Sequence, residues 1–95
     1  MKTHVLLHPG DSVVTALAEL STGTTLRIDL ATGPVDITLR EAVPYAHKIA
    51  VRAMAPGDPV TKYGEVIGIA SMAIAPGDWV HVQNVESARA RGDVV

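Results

Sequence analysis

A turn sequence that occurs twice limits this chain to short structural elements. Met54-Ala-Pro-Gly-Asp-Pro-Val60 is echoed 20 residues later by Ile74-Ala-Pro-Gly-Asp-Trp-Val80. Proline followed by glycine suits the centre of a type II turn, because proline presets a negative φ and glycine accepts a positive one. Two copies are too few for a solenoid. The repeat therefore predicts matching turns that reverse the chain between short strands of a compact β fold.

Alternating apolar and polar residues predict strands on either side of these turns. Thr25 to Leu30 and Val35 to Leu39 both alternate, and Thr32-Gly33-Pro34 between them is typical of a turn, so we expect a hairpin with one buried face. From His47 to Ala53 the period is again two, which predicts a further strand. Thr3 to Leu7 is expected to form a short first strand.

The segment from Asp11 to Gly23 predicts one short helix. Asp11 or Ser12 would supply the N-cap, because a side-chain oxygen there accepts from backbone N–H groups that the first turn leaves free. Gly23 suits the left-handed cap at the other end. Four apolar residues follow the N-cap at helical spacing: Val13, Ala16, Leu17 and Leu20.

Composition supports a small domain that is mainly β. The 95 residues form a single domain, 1–95, whose core would cover about two-thirds of the unfolded surface. Hydrophobic residues make up 47% of the chain and are almost all aliphatic, which favours packing on a pleated sheet. The tail from about residue 86 is polar, and we expect it to be loosely held or docked on a partner.

Charge and composition exclude several classes of function. A net charge of −2 with both signs interspersed argues against nucleic-acid binding, which requires a basic face. No apolar run approaches the roughly 20 residues that a membrane-spanning helix needs. The chain contains no cysteine and no signal-peptide pattern, so a cytoplasmic protein is the simplest expectation.

A histidine lies in the alternating run Trp79-Val80-His81-Val82-Gln83. Period two directs both valines of this run toward the core and leaves the other three residues on the opposite face. His81 is then either a solvent-facing histidine or a group that lines a cleft. In a cleft it would act as an acid–base group or a metal ligand, because imidazole titrates near neutrality and binds divalent metals when neutral.

Two further groups of residues are candidates for a binding site. His47 shares the predicted strand face of Ile49, so it is either a core-end histidine bound to a backbone carbonyl or a site residue, and Lys48 lies on the other face. Lys62-Tyr63-Gly64-Glu65 is either a turn with charged flanks or a ligand site. In a site, Lys62 would hold a carboxylate and Tyr63 would donate a hydrogen bond. His4 and His8 have no partner pattern.

Taken in order, these motifs resemble the SAF-type N-terminal domain of altronate and galactarate dehydratases, and the small subunit of sulfolactate sulfo-lyase. The resemblance runs from about Pro44 to Val85. The matching residues are Ala46-His47-Lys48-Ile49-Ala50, Lys62-Tyr63-Gly64-Glu65-Val66-Ile67-Gly68, and Val80-His81 with Asn84.

The resemblance implies a β-clip (SAF-like) fold and a cytoplasmic hydro-lyase that dehydrates a sugar acid, usually with a divalent metal of the Fe2+ or Mn2+ type. It implies that His81 and His47 are catalytic, with His81 also a metal ligand. The substrate-binding residues it implies are Lys48, Lys62, Tyr63 and Asn84. It further implies that Gly64 and Gly68 shape a turn.

Two departures from the family pattern leave alternatives open. Family members tend to have His-x-His-Asn at the last motif, whereas Gln83 replaces the second histidine here, and glutamine is a poor metal ligand. The large domain of the single-chain dehydratases does not follow, so we expect a large dehydratase subunit to complete the site, with homo-oligomerisation also possible. The alternatives are a sulfolactate sulfo-lyase small subunit and a non-catalytic carbohydrate-binding SAF module.

Overall fold

A computed structural model describes residues 2–87, and within that range the chain forms strands and turns with no helix. No helix of this part is long and apolar enough to cross a membrane. The strands are β1 (His4–Val5), β2 (Val13–Ala16), β3 (Thr25–Leu30), β4 (Gly33–Thr38), β5 (Lys48–Ala50), β6 (Pro59–Lys62), β7 (Glu65–Ala70), β8 (Trp79–Val80) and β9 (Val85–Ser87).

The centre of the fold is an antiparallel sheet in the order β1-β2-β5-β8. The β3–β4 hairpin and the three-stranded sheet β6-β7-β9 complete the described topology. The central sheet is buried on both sides, because successive side chains of a strand point to opposite faces. On β5, for example, Ile49 packs in one core and Ala50 in the other, and both are fully buried.

We call these two clusters the first core and the second core. The first core combines the central sheet with the β3–β4 hairpin, and the second combines it with β6 and β7. Buried members of the first core are Val14, Ala16, Leu20, Leu26, Ile28, Ile37, Leu39, Val43, Ile49 and Val51. Those of the second core are Val13, Ala50, Met54, Val60, Ala70, Ile74 and Val80.

The prediction of one short helix is wrong, although the mainly β fold class is confirmed. Val13 and Val14 belong to β2, where they pair with Ala50 and Ile49 of β5. Consecutive β-branched residues fit this strand because each one enters a different core, so both are 1% exposed. The helical spacing of apolar residues was misleading in this segment, because a strand that is buried on both faces lacks the alternation of apolar and polar residues by which strands are recognised.

The predicted β3–β4 hairpin is confirmed, with a two-residue loop at Ala31-Thr32 that places Pro34 inside β4 opposite Asp29. Two other predictions need correction. The strand expected from His47 to Ala53 is shorter, since β5 spans Lys48–Ala50. The start of the polar tail is ordered, because β9 pairs with β7; the rest of the predicted tail lies outside the described residues.

The repeated Pro-Gly-Asp segments form matching turns, as predicted. Gly57 and Gly77 have φ of 92° and 93°, the positive values that a type II turn requires. In each turn the aspartate carboxylate accepts a hydrogen bond from the backbone three residues earlier, with N–O distances of 2.8 Å for both Asp58 and Asp78. The equal geometry shows that the two segments are structural equivalents.

The two turns also cross and exchange backbone hydrogen bonds. Gly57 N–H donates to the Ala70 carbonyl at 2.8 Å, and Gly77 N–H donates to the Ala50 carbonyl at 2.9 Å. Met54 and Ile74 form an antiparallel bridge between the crossing segments. The chain therefore folds back on itself with local twofold pseudosymmetry, which ties the end of β5 to the end of β7.

A second crossing follows the same plan around the bridge between Leu20 and Val43. Gly23 N–H donates to the Leu39 carbonyl at 2.9 Å, and Ala46 N–H donates to the Ala16 carbonyl at 2.8 Å. Gly23 has a φ of 87° and Ala46, its counterpart, a φ of 71°. An alanine thus occupies a left-handed position that glycine adopts without strain.

We expect Ala46→Gly to raise the free energy of unfolding by about 0.5–1 kcal/mol, because relief of left-handed strain exceeds the entropy that glycine adds to the unfolded chain. The matched change Gly23→Ala should lower it by about 1 kcal/mol; a methyl group there meets no atom within 4 Å, so only the backbone is strained. Urea denaturation measures both. Destabilisation by Ala46→Gly would contradict this expectation, because the strain at Ala46 would then cost less than the entropy that glycine adds to the unfolded chain.

Candidate functional site

Three aromatic rings meet where β5 begins and β8 ends. Trp79 and His81 stack with their planes 7° apart and their centroids 5.5 Å apart. The His47 ring lies 4.6 Å from that of His81 and 5.7 Å from that of Trp79, centroid to centroid. The structure thus brings together the two histidines predicted to be catalytic. We call these three residues the ring cluster.

A side-chain hydrogen bond joins two members of the ring cluster. The indole Nε1–H of Trp79 donates to Nδ1 of His47 at 3.1 Å. His47 is half-buried and His81 is exposed. The alternative in which His47 is merely satisfied by a backbone carbonyl is therefore wrong, since its ring nitrogen bonds a tryptophan side chain instead.

His81 is positioned by a turn, which corrects the prediction that β8 continues to Gln83. β8 ends at Val80, and residues 81–84 form a turn closed by a hydrogen bond of 3.2 Å from Asn84 N–H to the His81 carbonyl. Val82 was predicted to face the core and is instead 80% exposed. The stacking of His81 on Trp79 follows from this turn rather than from alternation along a strand.

Asn84 is buried and braces that turn. Its Oδ1 accepts from the backbone N–H of His81 at 3.0 Å, and its Nδ2 donates to the Trp79 carbonyl at 2.9 Å. Gln83 donates to the same carbonyl at 3.0 Å. The predicted contact of Asn84 with substrate stays a prediction, whereas its contribution to positioning His81 is evident from these bonds.

The two lysines of the predicted site form a second group. Lys48 pairs in register with Val80, a second-core residue, so alternation directs it to the face of the sheet opposite the ring cluster. Burial lowers the pKa of Lys48 below its ordinary 10.5, and the nearby positive charge of Lys62 lowers this pKa further. Thr15, the register partner of Lys48 on β2, has a buried hydroxyl without a hydrogen-bond partner in the described residues.

The predicted Lys62–Glu65 segment is a tight hairpin turn between β6 and β7. Tyr63 and Gly64 both have positive φ, 57° and 74°, which is the pattern of a type I′ turn. The Tyr63 side chain is 73% exposed. Gly68, predicted to shape the same turn, lies inside β7, where the carbonyl of Glu86 would be 2.5 Å from an added Cβ. Its role is to admit the backbone of β9.

The turn is held from across the fold by a residue that the sequence patterns misassigned. The fully buried carboxylate of Asp11 accepts from Tyr63 N–H at 2.7 Å and from Gly64 N–H at 2.9 Å. Ser12, the other predicted N-cap, instead bonds the Thr61 hydroxyl at 2.9 Å. The side-chain oxygens of Asp11 and Ser12 therefore accept from backbone N–H groups, as expected of capping residues, but these groups lie about 50 residues away rather than in a local helix.

His8, to which the sequence assigned no role, also lies against this turn. Its Cδ2 is 3.3 Å from the position that a Cβ on Gly64 would occupy. No spacing in the sequence indicates this contact, because it depends on the long-range bonds of Asp11. A methyl group at residue 64 would press on the His8 ring, which gives this glycine a second requirement besides its positive φ.

The site residues therefore fall into two groups that share β5. The ring cluster lies on the first-core face, and Lys48 with Lys62 on the second-core face, while Tyr63 is fixed by Asp11. Among residues 2–87, no hydrogen bond, ion pair or ring contact joins the two groups directly. A cleft of about 490 Å3 lies elsewhere, between residues 2–6 and Arg27–Asp29 at the β1 edge of the sheet.

The described residues do not complete a metal site. Within residues 2–87 no three histidine, cysteine, aspartate or glutamate side chains are grouped so as to hold an ion. His47 and His81 are two imidazoles, and Nδ1 of His47 already accepts from Trp79. Metal binding by His81 therefore stays a prediction, which residues 2–87 neither complete nor contradict.

Comparison with known proteins identifies several relatives. The sequence model named altronate/galactarate dehydratase SAF domain matches residues 2–88. Altronate dehydratase from Escherichia coli (strain K12) is 39% identical over 84 residues, which cover 88% of this chain and 16% of the relative. Altronate dehydratase from Bacillus subtilis (strain 168) is 34% identical over 87 residues, covering 92% and 17%.

A third relative is named as a subunit. The (2R)-sulfolactate sulfo-lyase subunit alpha of Chromohalobacter salexigens is 39% identical over 51 residues, which cover 54% of each chain. The chain spans about one sixth of the length of the altronate dehydratases that it matches. The relatives are thus larger dehydratases or the subunit of a lyase.

We expect Asp11→Asn to lower the free energy of unfolding by about 1–3 kcal/mol, because an amide offers only one oxygen to the two N–H groups of the turn. Amide exchange at Tyr63 and Gly64 should rise in the variant. The control is Asp36→Asn, which removes an exposed pair with Arg27 at 3.8 Å and should change stability by less than about 0.5 kcal/mol. Equal effects of the two changes would contradict an anchoring role.

Lys48→Met should stabilise the fold at neutral pH. Because the pKa of Lys48 is lowered on folding, the charged lysine destabilises the folded state, and this destabilisation is complete below the pKa that Lys48 has in the folded protein. The destabilisation disappears as the pH rises from that pKa to the ordinary value of 10.5, so the stability gained by Lys48→Met should shrink over the same pH range. Thermal denaturation across this pH range measures it, with the exposed Lys2→Met as control. A gain independent of pH would mean that packing, not charge, is responsible.

Proposed function

Because the chain belongs to the altronate/galactarate dehydratase SAF domain family, we propose that it is the small component of a sugar-acid dehydratase. In this proposal it contributes substrate-binding residues to a site that a large dehydratase chain completes. The reaction removes water from a hexonate or hexarate and leaves a 2-keto-3-deoxy acid.

The observation that carries the proposal is the pair of lysine amines. Lys48 is partly buried, and the charge of Lys62 acts on it unfavourably. Among the described residues, neither lysine forms an ion pair with a carboxylate. A substrate carboxylate placed between the two amines would replace repulsion with attraction, and lysine serves as a compact point charge for such an anion.

The ring cluster supplies the kind of group that elimination of water requires. The leaving hydroxyl must receive a proton, and a base must remove the hydrogen next to the carboxylate. The imidazoles of His47 and His81 lie side by side, and the His81 ring is exposed to a ligand. A divalent metal bound in the assembled enzyme would stabilise negative charge on the substrate, but its ligands would have to come largely from the partner.

Dependence on a large chain is supported by the size of the relatives and by the open geometry. The altronate dehydratases contain about five-sixths of their length outside the matched region. The chain spreads its candidate groups over two faces of β5, and a surface that covers the end of this strand would reach both. A partner chain seated there would exclude water and place its own base opposite His81.

Two other functions each have one supporting observation. The match to the sulfolactate sulfo-lyase subunit favours a substrate with a sulfonate, which the same lysines would accept. The exposed Tyr45 and Tyr63 side chains, 63% and 73% accessible, favour a carbohydrate-binding module in which a tyrosine stacks on a sugar ring.

Reconstitution distinguishes the three functions. The chain and an altronate-dehydratase-type large chain are purified separately and together, and formation of 2-keto acid is followed with altronate, galactarate and (2R)-sulfolactate. We expect elimination only from the mixture, and only with a sugar acid. A large chain that is equally active alone would refute the proposal, and activity with sulfolactate alone would support the sulfo-lyase.

Variants of the active mixture test the lysine pair. Lys62→Ala should raise KM about 10-fold or more with a smaller effect on kcat, because it removes a contact to the carboxylate in the ground state. Lys2→Ala, on an exposed lysine outside both groups, is the matched control. Tight binding of sugar acids by the isolated chain, with no elimination in any mixture, would favour the binding module.

A further inference from the structure

We propose that Trp79 is a positioning residue that holds His47 in the tautomer with its proton on Nε2, so that His47 donates a hydrogen bond to the substrate and His81 performs the proton transfer. The inference deepens the proposed function and rests on it for the identity of the substrate. Its structural half, the fixed tautomer, concerns this chain alone.

The first step is the direction of the bond between Trp79 and His47. An indole N–H donates and has no lone pair to accept with, so Nδ1 of His47 must be the acceptor across the 3.1 Å contact. An acceptor nitrogen carries no proton. The neutral His47 ring therefore carries its proton on Nε2, the nitrogen farther from the indole.

The second step is that Trp79 cannot easily turn away. Its backbone N–H donates to Oε2 of Glu41 at 3.3 Å, and its carbonyl accepts from Nδ2 of Asn84 at 2.9 Å. The indole packs against the first core, and its register partner Ile49 is fully buried. The indole N–H of Trp79 is thus held in place, and the imidazole of His47 takes the tautomer that can accept from it.

The third step is the contrast with His81. Its backbone is held by Asn84, and its ring stacks on Trp79. Within residues 2–87 the ring nitrogens of His81 make no hydrogen bond, and the residue is exposed. Both ring nitrogens can therefore meet a ligand without breaking an internal hydrogen bond.

The roles of His47 and His81 show how each proton would move during the elimination. As the C–O bond breaks, the protonated His81 ring gives its proton to the leaving hydroxyl, which departs as water, and His81 becomes neutral. A base on the partner chain takes the hydrogen next to the carboxylate. Nε2–H of His47 donates to an oxygen of the substrate throughout. To accept a proton, His47 would first have to release Nδ1 from Trp79.

Nuclear magnetic resonance of the uniformly 15N-labelled chain tests the fixed tautomer directly. At a pH of about 8, above the ordinary histidine pKa of about 6.5, we expect a scalar coupling across the hydrogen bond from Nε1 of Trp79 to Nδ1 of His47. The His47 ring should show its proton on Nε2. Trp79→Phe, which keeps an aromatic ring but removes the N–H, should shift the Nδ1 resonance of His47 and leave the backbone spectrum dispersed.

The enzymatic arm uses the active mixture and two matched substitutions. Glutamine reproduces the Nε2–H donor of histidine but cannot exchange a proton near neutral pH. We therefore expect His47→Gln to reduce kcat by no more than about 10-fold, and His81→Gln to reduce it by about 100-fold or more. His81→Gln should also abolish the alkaline limb of the pH profile, where the proposed proton donor would lose its proton, and a purely structural defect would leave that limb in place.

Each outcome decides the proposal. A folded chain without the Trp79–His47 coupling, or with a proton on Nδ1 of His47, overturns it. Equal losses of kcat in His47→Gln and His81→Gln overturn the division of roles. If no large chain restores elimination, the proposed function fails, yet the coupling still establishes or refutes the positioning of His47 by Trp79.

Discussion

Burial of the central sheet on both faces is the constraint on which the rest of the structure depends. Each step along β5 changes the core that a side chain enters, so Ile49 and Ala50 belong to different hydrophobic clusters. The same alternation separates His47, which contacts Trp79, from Lys48, which lies on the side of Val80. The strand that organises the packing therefore also distributes the candidate chemistry over two surfaces.

The crossing segments explain how so short a chain builds two cores. Helices would need longer segments. In each crossing, by contrast, the backbone groups of one segment form hydrogen bonds with those of its counterpart, as Gly57 does with Ala70 and Gly77 with Ala50. The buried polar residues serve the same purpose. Asp11 bonds the turn at Tyr63 and Gly64, and this connection places Gly64 against the ring of His8.

Hydrogen bonds from buried or half-buried residues also hold the candidate site in place. Asn84 and Trp79 fix the two imidazoles by hydrogen bonds to ring or backbone atoms, and Asp11 fixes the turn that follows Lys62. Groups with such supports need little reorganisation when a ligand arrives, which favours binding and catalysis. The region of the altronate dehydratases that is similar to this chain makes up about one sixth of their length.

The sequence by itself determined the mainly β class, the hairpin of β3 and β4, the paired Pro-Gly-Asp turns and the family, because each is encoded in local turn chemistry, in alternation or in an ordered motif. It could not determine that Val13 and Val14 form a strand, because a strand buried on both faces lacks alternation. Nor could it identify the partners of Asp11 or the contact of His47 with Trp79. Only the tertiary structure decided these, since such partners lie 32 or more residues away and meet only when the crossings bring them together.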